Sequence, residues 1–236
     1  MEEKTEKKDR EKEESREKVE EKKEEISENK SLNKQVKWVV LTSLIIVIGT
    51  LFSLWIVEES KKFDFGGLSF HEEMFGNIKL YVSNIEGQDI SGNNIKFSFV
   101  LRNDPRKLDI PINANINFLS SGEKVVSLNL TSGIDNCDNS SIASFSLGYF
   151  LNNLGIKPIT AFTDKKTAEE KEGLYVDCET NPGNTVIILT AGNKTEINQD
   201  LKNPDCYTLV FNNCEVMQVV ERFEMAVLAQ PAGEEI

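Results

Sequence analysis

The sequence predicts an α/β protein, with a mixed sheet whose N-terminal part is antiparallel and whose C-terminal part is βαβ-like, preceded by one transmembrane helix. Three observations carry this reading. Residues 38–57 (WVVLTSLIIVIGTLFSLWIV) contain no charge, and a run of about twenty apolar residues is the length that spans a bilayer as a helix. Between residues 77 and 130, apolar and polar residues alternate in several short runs, the period of half-buried antiparallel strands. Beyond residue 138, helical and strand-like segments take turns, which argues for right-handed crossovers in a mixed sheet.

Three segments follow: a charged arm (1–37), the span (38–57) and an outer domain (58–236). The arm holds 12 Lys and Arg against 13 Asp and Glu. Val19 and Ile26 are nearly its only apolar residues, and Lys22 and Lys23 occupy positions where a coiled coil needs a second apolar seam. Glu3 with Lys7, Glu6 with Arg10 and Glu14 with Lys18 are acid-before-base pairs at i,i+4. A frayed, water-facing helix or a disordered tail is expected.

The span is expected to contact the lipid bilayer directly, with Trp38 and Trp55 near its two interfaces. Lys30, Lys34 and Lys37 precede it closely, and only Lys61 and Lys62 follow. The bias predicts a single-pass protein of the cell membrane, with its N-terminus cytoplasmic and its C-terminal domain outside. The apolar run is too long for the core of a cleaved signal peptide, and no small-x-small site follows it. An uncleaved signal anchor is therefore expected.

The outer domain carries the remaining 15 bases and 26 acids, a net charge of −11. That balance argues against nucleic acid as a partner. Residues 77–85, 95–101, 112–118 and 124–130 each read as strands, with turns at Gly87, Ser91-Gly92-Asn93, Asp104-Pro105 and Ser121-Gly122. Asp138 or Asn139 can cap a helix whose apolar residues Ile142, Phe145, Tyr149 and Leu154 share one face, with Gly155 as its stop. Residues 159–162 form a short strand, and Asp164 opens a charged helix reaching Lys171. Residues 185–190 (TVIILT) are the most β-branched run outside the span and belong at the sheet centre. Gly192-Asn193 turns into a strand at 194–198. A strand at 207–211 leads to a last helix, capped by Asn212 or Asn213, which buries Val216, Val219, Val220, Phe223 and Val227.

Cys137, Cys178, Cys206 and Cys214 all fall in the outer domain. An even count on the oxidising side predicts two disulfides, and the absence of a C-x-x-C pair argues against a zinc or redox site. Cys206 and Cys214 bracket a strand, which would hold them about 20 Å apart at ~3.3 Å per residue, beyond the roughly 7 Å a bridge allows. Cys137 and Cys214 each follow a strand and precede a helix, so they share one end of a crossover sheet. Cys178 and Cys206 precede strands at the other end. The expected pairs are Cys137–Cys214 and Cys178–Cys206.

The string Leu101-Arg-Asn-Asp-Pro-Arg-Lys107 is the most distinctive. Arg102, Arg106 and Lys107 cluster within an acidic domain, and guanidinium groups beside an Asp-Pro turn can hold a carboxylate or phosphate. The competing reading is a turn whose cations pair with the protein's own acids. Asn129, Asn139 and Asn193 begin N-x-S/T triplets and are candidate glycosylation sites. His71 is the only histidine and has no recognisable nucleophile beside it. No calcium loop or phosphate-cradling glycine loop is present, so no cofactor and no metal are expected, and no catalytic residue can be assigned.

With that string, the four cysteines and the span in place, the chain resembles a group of uncharacterised archaeal single-pass membrane proteins. Ala161-Phe-Thr-Asp164, Thr185-Val-Ile-Ile188 and Cys214-Glu-Val216 extend the resemblance through the outer domain. It leaves out the charged arm, and it implies no activity, substrate or catalytic residue. The function expected is a membrane-tethered binding or structural module of the cell envelope with an envelope protein as partner, leaning away from an enzyme. The alternative is an envelope enzyme or transferase acting on an anionic substrate held by Arg102 and Arg106.

Overall fold

The computed structural model describes residues 36–57, 59–88, 92–116, 124–128, 133–181 and 184–229. The predicted arm, except Val36 and Lys37, lies outside the described residues, as do Asn129 and the Ser121-Gly122 turn. The chain forms two compact units, residues 1–60 and 61–236. In the first, α1 (Val36–Val57) is long and apolar enough to cross a membrane. Thr42, Ser43, Thr50 and Ser53 return their hydroxyl protons to carbonyls three or four residues back, so these hydroxyls are satisfied within the helix.

The second unit is mixed α/β. Its first sheet is antiparallel, in the order β1 (Lys62–Phe65), β2 (Leu68–Phe75), β3 (Ile78–Gln88), β4 (Asn94–Leu101). Phe65 pairs with Leu68 across Gly66 and Gly67, whose φ angles of 58° and 73° match the strand twist as most side chains cannot. Phe70, Tyr81, Phe97, Phe99 and Leu101 are buried on one face, following the alternation read from the sequence at 77–85 and 95–101. The β1–β2 hairpin was not among the strands predicted.

The second sheet has seven strands in the order β5-β10-β11-β9-β6-β7-β8. These are β5 (Ile112–Asn113), β6 (Lys124–Leu128), β7 (Ile159–Phe162), β8 (Leu174–Tyr175), β9 (Thr185–Ala191), β10 (Glu196–Gln199) and β11 (Cys206–Phe211). β9 occupies the centre, as its composition predicts. Two expectations fail here. Among the described residues of the run 112–118, only Ile112 and Asn113 form a strand, β5, and residues 114–116 are irregular. β6 does not extend the antiparallel sheet but pairs in parallel with β7 and β9. Alternation is the same in both sheet types at this length, so it could not say which sheet a strand joins.

Crossovers carry the helices. α2 (Ser140–Asn153) links β6 to β7, and α3 (Lys165–Glu170) links β7 to β8. Asp164 caps α3 by accepting from the Thr167 N–H at 2.7 Å. Asn139 stands at the start of α2 without a side-chain cap bond. α2 ends as expected at Gly155, φ 78°. The Ile156 N–H reaches the Leu151 carbonyl and the Gly155 N–H reaches the Asn152 carbonyl, the double bond that closes a helix on a left-handed residue.

α4 (Val216–Ala229) follows β11. Neither Asn212 nor Asn213 caps it; Asn213 and Cys214 take φ 49° and 60°, and the Val219 N–H bonds the Glu215 carbonyl, which places the start of the helix at Glu215. Its predicted stripe is buried, but so is nearly every other residue, Glu221, Arg222 and Glu224 included. α2 and α4 pack side by side between the sheets. Phe150 of α2 meets Phe99 of the first sheet, with ring centroids 5.7 Å apart, and Phe223 of α4 meets Tyr207 of the second at 5.8 Å. One large core cluster joins all three layers, and a smaller one gathers Val125, Ala161, Val176, Val186 and Cys206 of the second sheet region.

Cys137 is bonded to Cys214 and Cys178 to Cys206, with Cα separations of 5.4 and 5.5 Å. The first bridge lies where β6 and β11 lead into α2 and α4, and the second at the opposite strand ends, the arrangement that the crossover argument selects. A Cys137→Ala/Cys214→Ala variant of the full chain should lose about 4 kcal/mol of unfolding free energy by the chain-entropy relation. The Cys178→Ala/Cys206→Ala variant, with a sequence separation of 28 rather than 77, should lose about 1 kcal/mol less. Urea unfolding under non-reducing conditions measures both.

Candidate functional site

The groove that marks the site runs between α2 and β4, the edge strand of the antiparallel sheet. Its volume is ≈ 240 Å³. Phe97 and Phe99 of β4 and Phe150 of α2 form the walls, and Met217, Glu221 and Glu224 of α4 form the floor. Around the mouth stand Phe75, Ile78, Val100, Ile142, Phe145 and Tyr149, all solvent-exposed. Phe145 is 73% exposed and Tyr149 53%, and their rings stack with centroids 6.3 Å apart.

The sequence puts Ile142, Phe145, Tyr149 and Leu154 on one apolar face of α2; of these only Leu154 is buried, and within the helix the buried residues are Ala143, Leu147, Phe150 and Leu151. α2 is apolar on both sides, so periodicity alone could not choose between them. Packing against α4 takes the side with the small residue Ala143, which permits close approach. The aromatic side is left facing the groove.

At the floor, Glu221 is buried and accepts from the backbone N–H groups of Arg102 and Asn103, the latter at 3.2 Å, and from the Asn103 side-chain amide at 2.7 Å. These bonds tie α4 to the end of β4. Burial pushes its pKa up to about 7, against the pull of the three donors. Glu224, three residues on, is 1% exposed. Its pKa is raised well above the usual carboxylate value by burial and by the neighbouring Glu221 charge, opposed only by a bond from the Ser146 hydroxyl. That bond is 3.2 Å long and reaches Oε1, and Oε2 has no partner among the described residues. Arg222, between the two acids in sequence, donates instead to the Ile110 carbonyl at 3.2 Å.

The predicted anion cluster does not come together. Arg102 lines the groove, and no carboxylate of the described residues lies within salt-bridge distance of its guanidinium. Arg106 points elsewhere. Asp104 takes it in two bonds of 2.8 Å, Glu72 lies at 3.6 Å, and its guanidinium sits 3.9 Å above the Phe63 ring. The Arg106 bond in turn holds the Asp104 carboxyl below its ordinary range. Lys107 is exposed within the same 3-10 turn, Pro105–Lys107. Asp104 is the cause of the divergence: its side chain accepts from the Arg106 N–H and folds that guanidinium back on the turn.

His71 lies on β2, 2.8 Å from the Glu73 carboxylate. Asn193 is exposed beside Gly192, and Asn139 is exposed ahead of α2. In the first triplet the Thr195 hydroxyl is engaged by Glu215 and by the Asn212 N–H at 3.0 Å.

Sequence reasoning missed Glu221, Glu224 and the aromatic rim. One signal was present: Glu221, Arg222 and Glu224 interrupt a final helix that is otherwise largely apolar. Charges placed on more than one side of a helix with no polar face mark a segment that buries some of them. Comparison with family models, curated proteins and solved structures found no match.

The two acids set a pH dependence. Glu221 has an ordinary value of 4.5 and a folded value of about 7, so the folded state holds its proton more tightly than the unfolded chain. That contribution is complete below pH 4.5, is lost as pH rises to 7, and amounts to on the order of 3 kcal/mol. Glu224 acts in the same direction. Unfolding free energy should therefore fall between pH 4.5 and pH 7 in urea titrations, and Glu224→Gln should flatten that slope and raise stability at pH 8.

Proposed function

We propose that this protein is a single-pass, membrane-tethered binding module of the cell envelope. Its charged arm is cytoplasmic, its disulfide-bonded domain is outside, and it holds an envelope partner by an apolar group inserted in the α2–β4 groove. The observation that carries this reading is the groove itself. It is concave and aromatic, and the rim residues expose large apolar surface that the domain's own packing does not need. Supporting the placement are α1, the excess of Lys and Arg before it and two disulfides in the outer unit.

The alternative, an envelope enzyme or transferase acting on an anionic substrate, keeps one of its two arginines. Arg102 is at the groove and without a carboxylate partner among the described residues. Arg106 is held by Asp104 and Glu72 and adds nothing there.

Two measurements test the proposal. Protease added to intact cells should remove residues 61–236 and spare the arm; digestion of the arm with survival of the domain reverses the topology. In phosphatidylcholine nanodiscs, the full chain should bind the neutral fluorophore N-phenyl-1-naphthylamine, scored above empty discs. Phe145→Ser/Tyr149→Ser should weaken that binding at least tenfold while leaving the urea midpoint unchanged, because both side chains are already exposed. Equal binding by the variant would remove the groove from the function.

A further inference from the structure

We propose that the groove seats a basic side chain of an extended polypeptide partner, its ammonium or guanidinium group on Glu224 and Glu221 and its backbone along the free edge of β4. This rests on the reading of the groove as a binding site and names the chemistry of what it binds.

Three independent features converge. First, Glu224 is buried in the floor with Oε2 lacking any partner among the described residues, and Glu221 lies one helical turn before it. No buried side-chain nitrogen or oxygen among the described residues lacks a hydrogen-bond partner, so Oε2, which no described residue bonds, opens to the groove and can accept from an incoming donor. A cation that reaches it gains a charge-assisted bond where solvent screening is weak. Second, Phe99, Phe150, Phe145 and Tyr149 line the path to the floor, and aromatic faces attract a cation while packing against the methylene stem that carries it. Third, among the described residues β4 has β3 on one side and no strand on the other, and this open edge borders the groove. An open edge beside a pocket takes an extended segment by main-chain bonding, with the pocket reading one side chain.

Charge complementarity selects the sign. The outer domain carries a net charge of −11, which draws a basic segment toward it. The charged groups facing the two carboxyls are each other and Arg102. α2 presents Ser146, and β2 and β3 present Phe75, Ile78 and Leu80. Arg102 is exposed at the rim, where its repulsion of a cation is screened more than the attraction of the buried pair. Since burial keeps both acids protonated to higher pH than usual, a bound cation also draws off their protons.

The test uses the full chain in phosphatidylcholine nanodiscs, titrated calorimetrically with the peptide acetyl-Ser-Val-Thr-Lys-Thr-Val-Ser-amide and its counterparts with norleucine or glutamate in the central position. At pH 8 the lysine peptide should bind at least about tenfold more tightly than the norleucine peptide, the low end for one bond to a charged group. That advantage should vanish in Glu224→Gln, grow in Arg102→Gln, and decline as pH falls from 8 to 5. Equal affinity for norleucine, preference for glutamate, or a lysine advantage that survives Glu224→Gln overturns the inference. So does failure of all three peptides where N-phenyl-1-naphthylamine still binds, which leaves the groove a binding site for something else. Loss of the fluorophore as well as the peptides removes both readings.

Discussion

α4 is enclosed on every side, with α2 beside it and a sheet above and below. A helix in that position has no face left for water, so each charge in it must be met from within. Glu221 is met by two backbone N–H groups and an amide at the end of β4. Arg222 is met by the Ile110 carbonyl, on the irregular segment that carries the chain from the first sheet to the second. Both charges thus tie the central helix to the path the chain takes around it, and their bonds fix where β4 ends. Glu224 is the exception. Ser146 meets one of its carboxyl oxygens, and the other is not enclosed but opens to the groove.

The enclosure of α4 also decides what α2 exposes. α2 can give only one side to its neighbour, and Ala143, Leu147 and Leu151 fit there. Its other apolar side then faces the edge of the antiparallel sheet, which stops at β4. The groove exists because the sheet ends there while the helix pair continues. Its wall is aromatic because Phe99 of β4 packs on Phe150 of α2 to close the core, with Phe97 lining the groove beside it. The two disulfides hold opposite ends of the parallel strands, so the frame around α4 is braced at both ends.

The LRNDPRK string shows how one turn can divide its own charges. Asp104 begins a 3-10 turn and folds Arg106 back onto itself and onto Phe63. Arg102, two residues before Asp104, remains with the strand and faces the groove. A cluster of three cations in sequence becomes one structural cation, one at the site and one, Lys107, exposed on the turn, and the agent that separates the two arginines is a carboxylate within the same string.

Local patterns settled a good deal in advance. The uncharged run at 38–57, the alternation at 77–85 and 95–101, the β-branched run at 185–190, Asp164 at the head of α3 and Gly155 at the end of α2 each act through neighbours within a few residues, so each was legible. The cysteine pairing was legible too, because crossover order decides which strand ends meet. What remained hidden depends on contacts far apart in the chain. Alternation could not tell that β6 leaves the antiparallel sheet, nor periodicity which side of α2 meets α4. Two glutamates in an apolar helix gave no hint that residues 118 and 119 positions earlier would clamp one of them and leave the other open. The sequence by itself determined most of the elements, the long apolar helix α1 and the crosslinks, since these follow from short-range periodicity and strand order. Only the tertiary structure decided the site, because a groove is a place where packing stops, and where packing stops depends on every other surface having already found its partner.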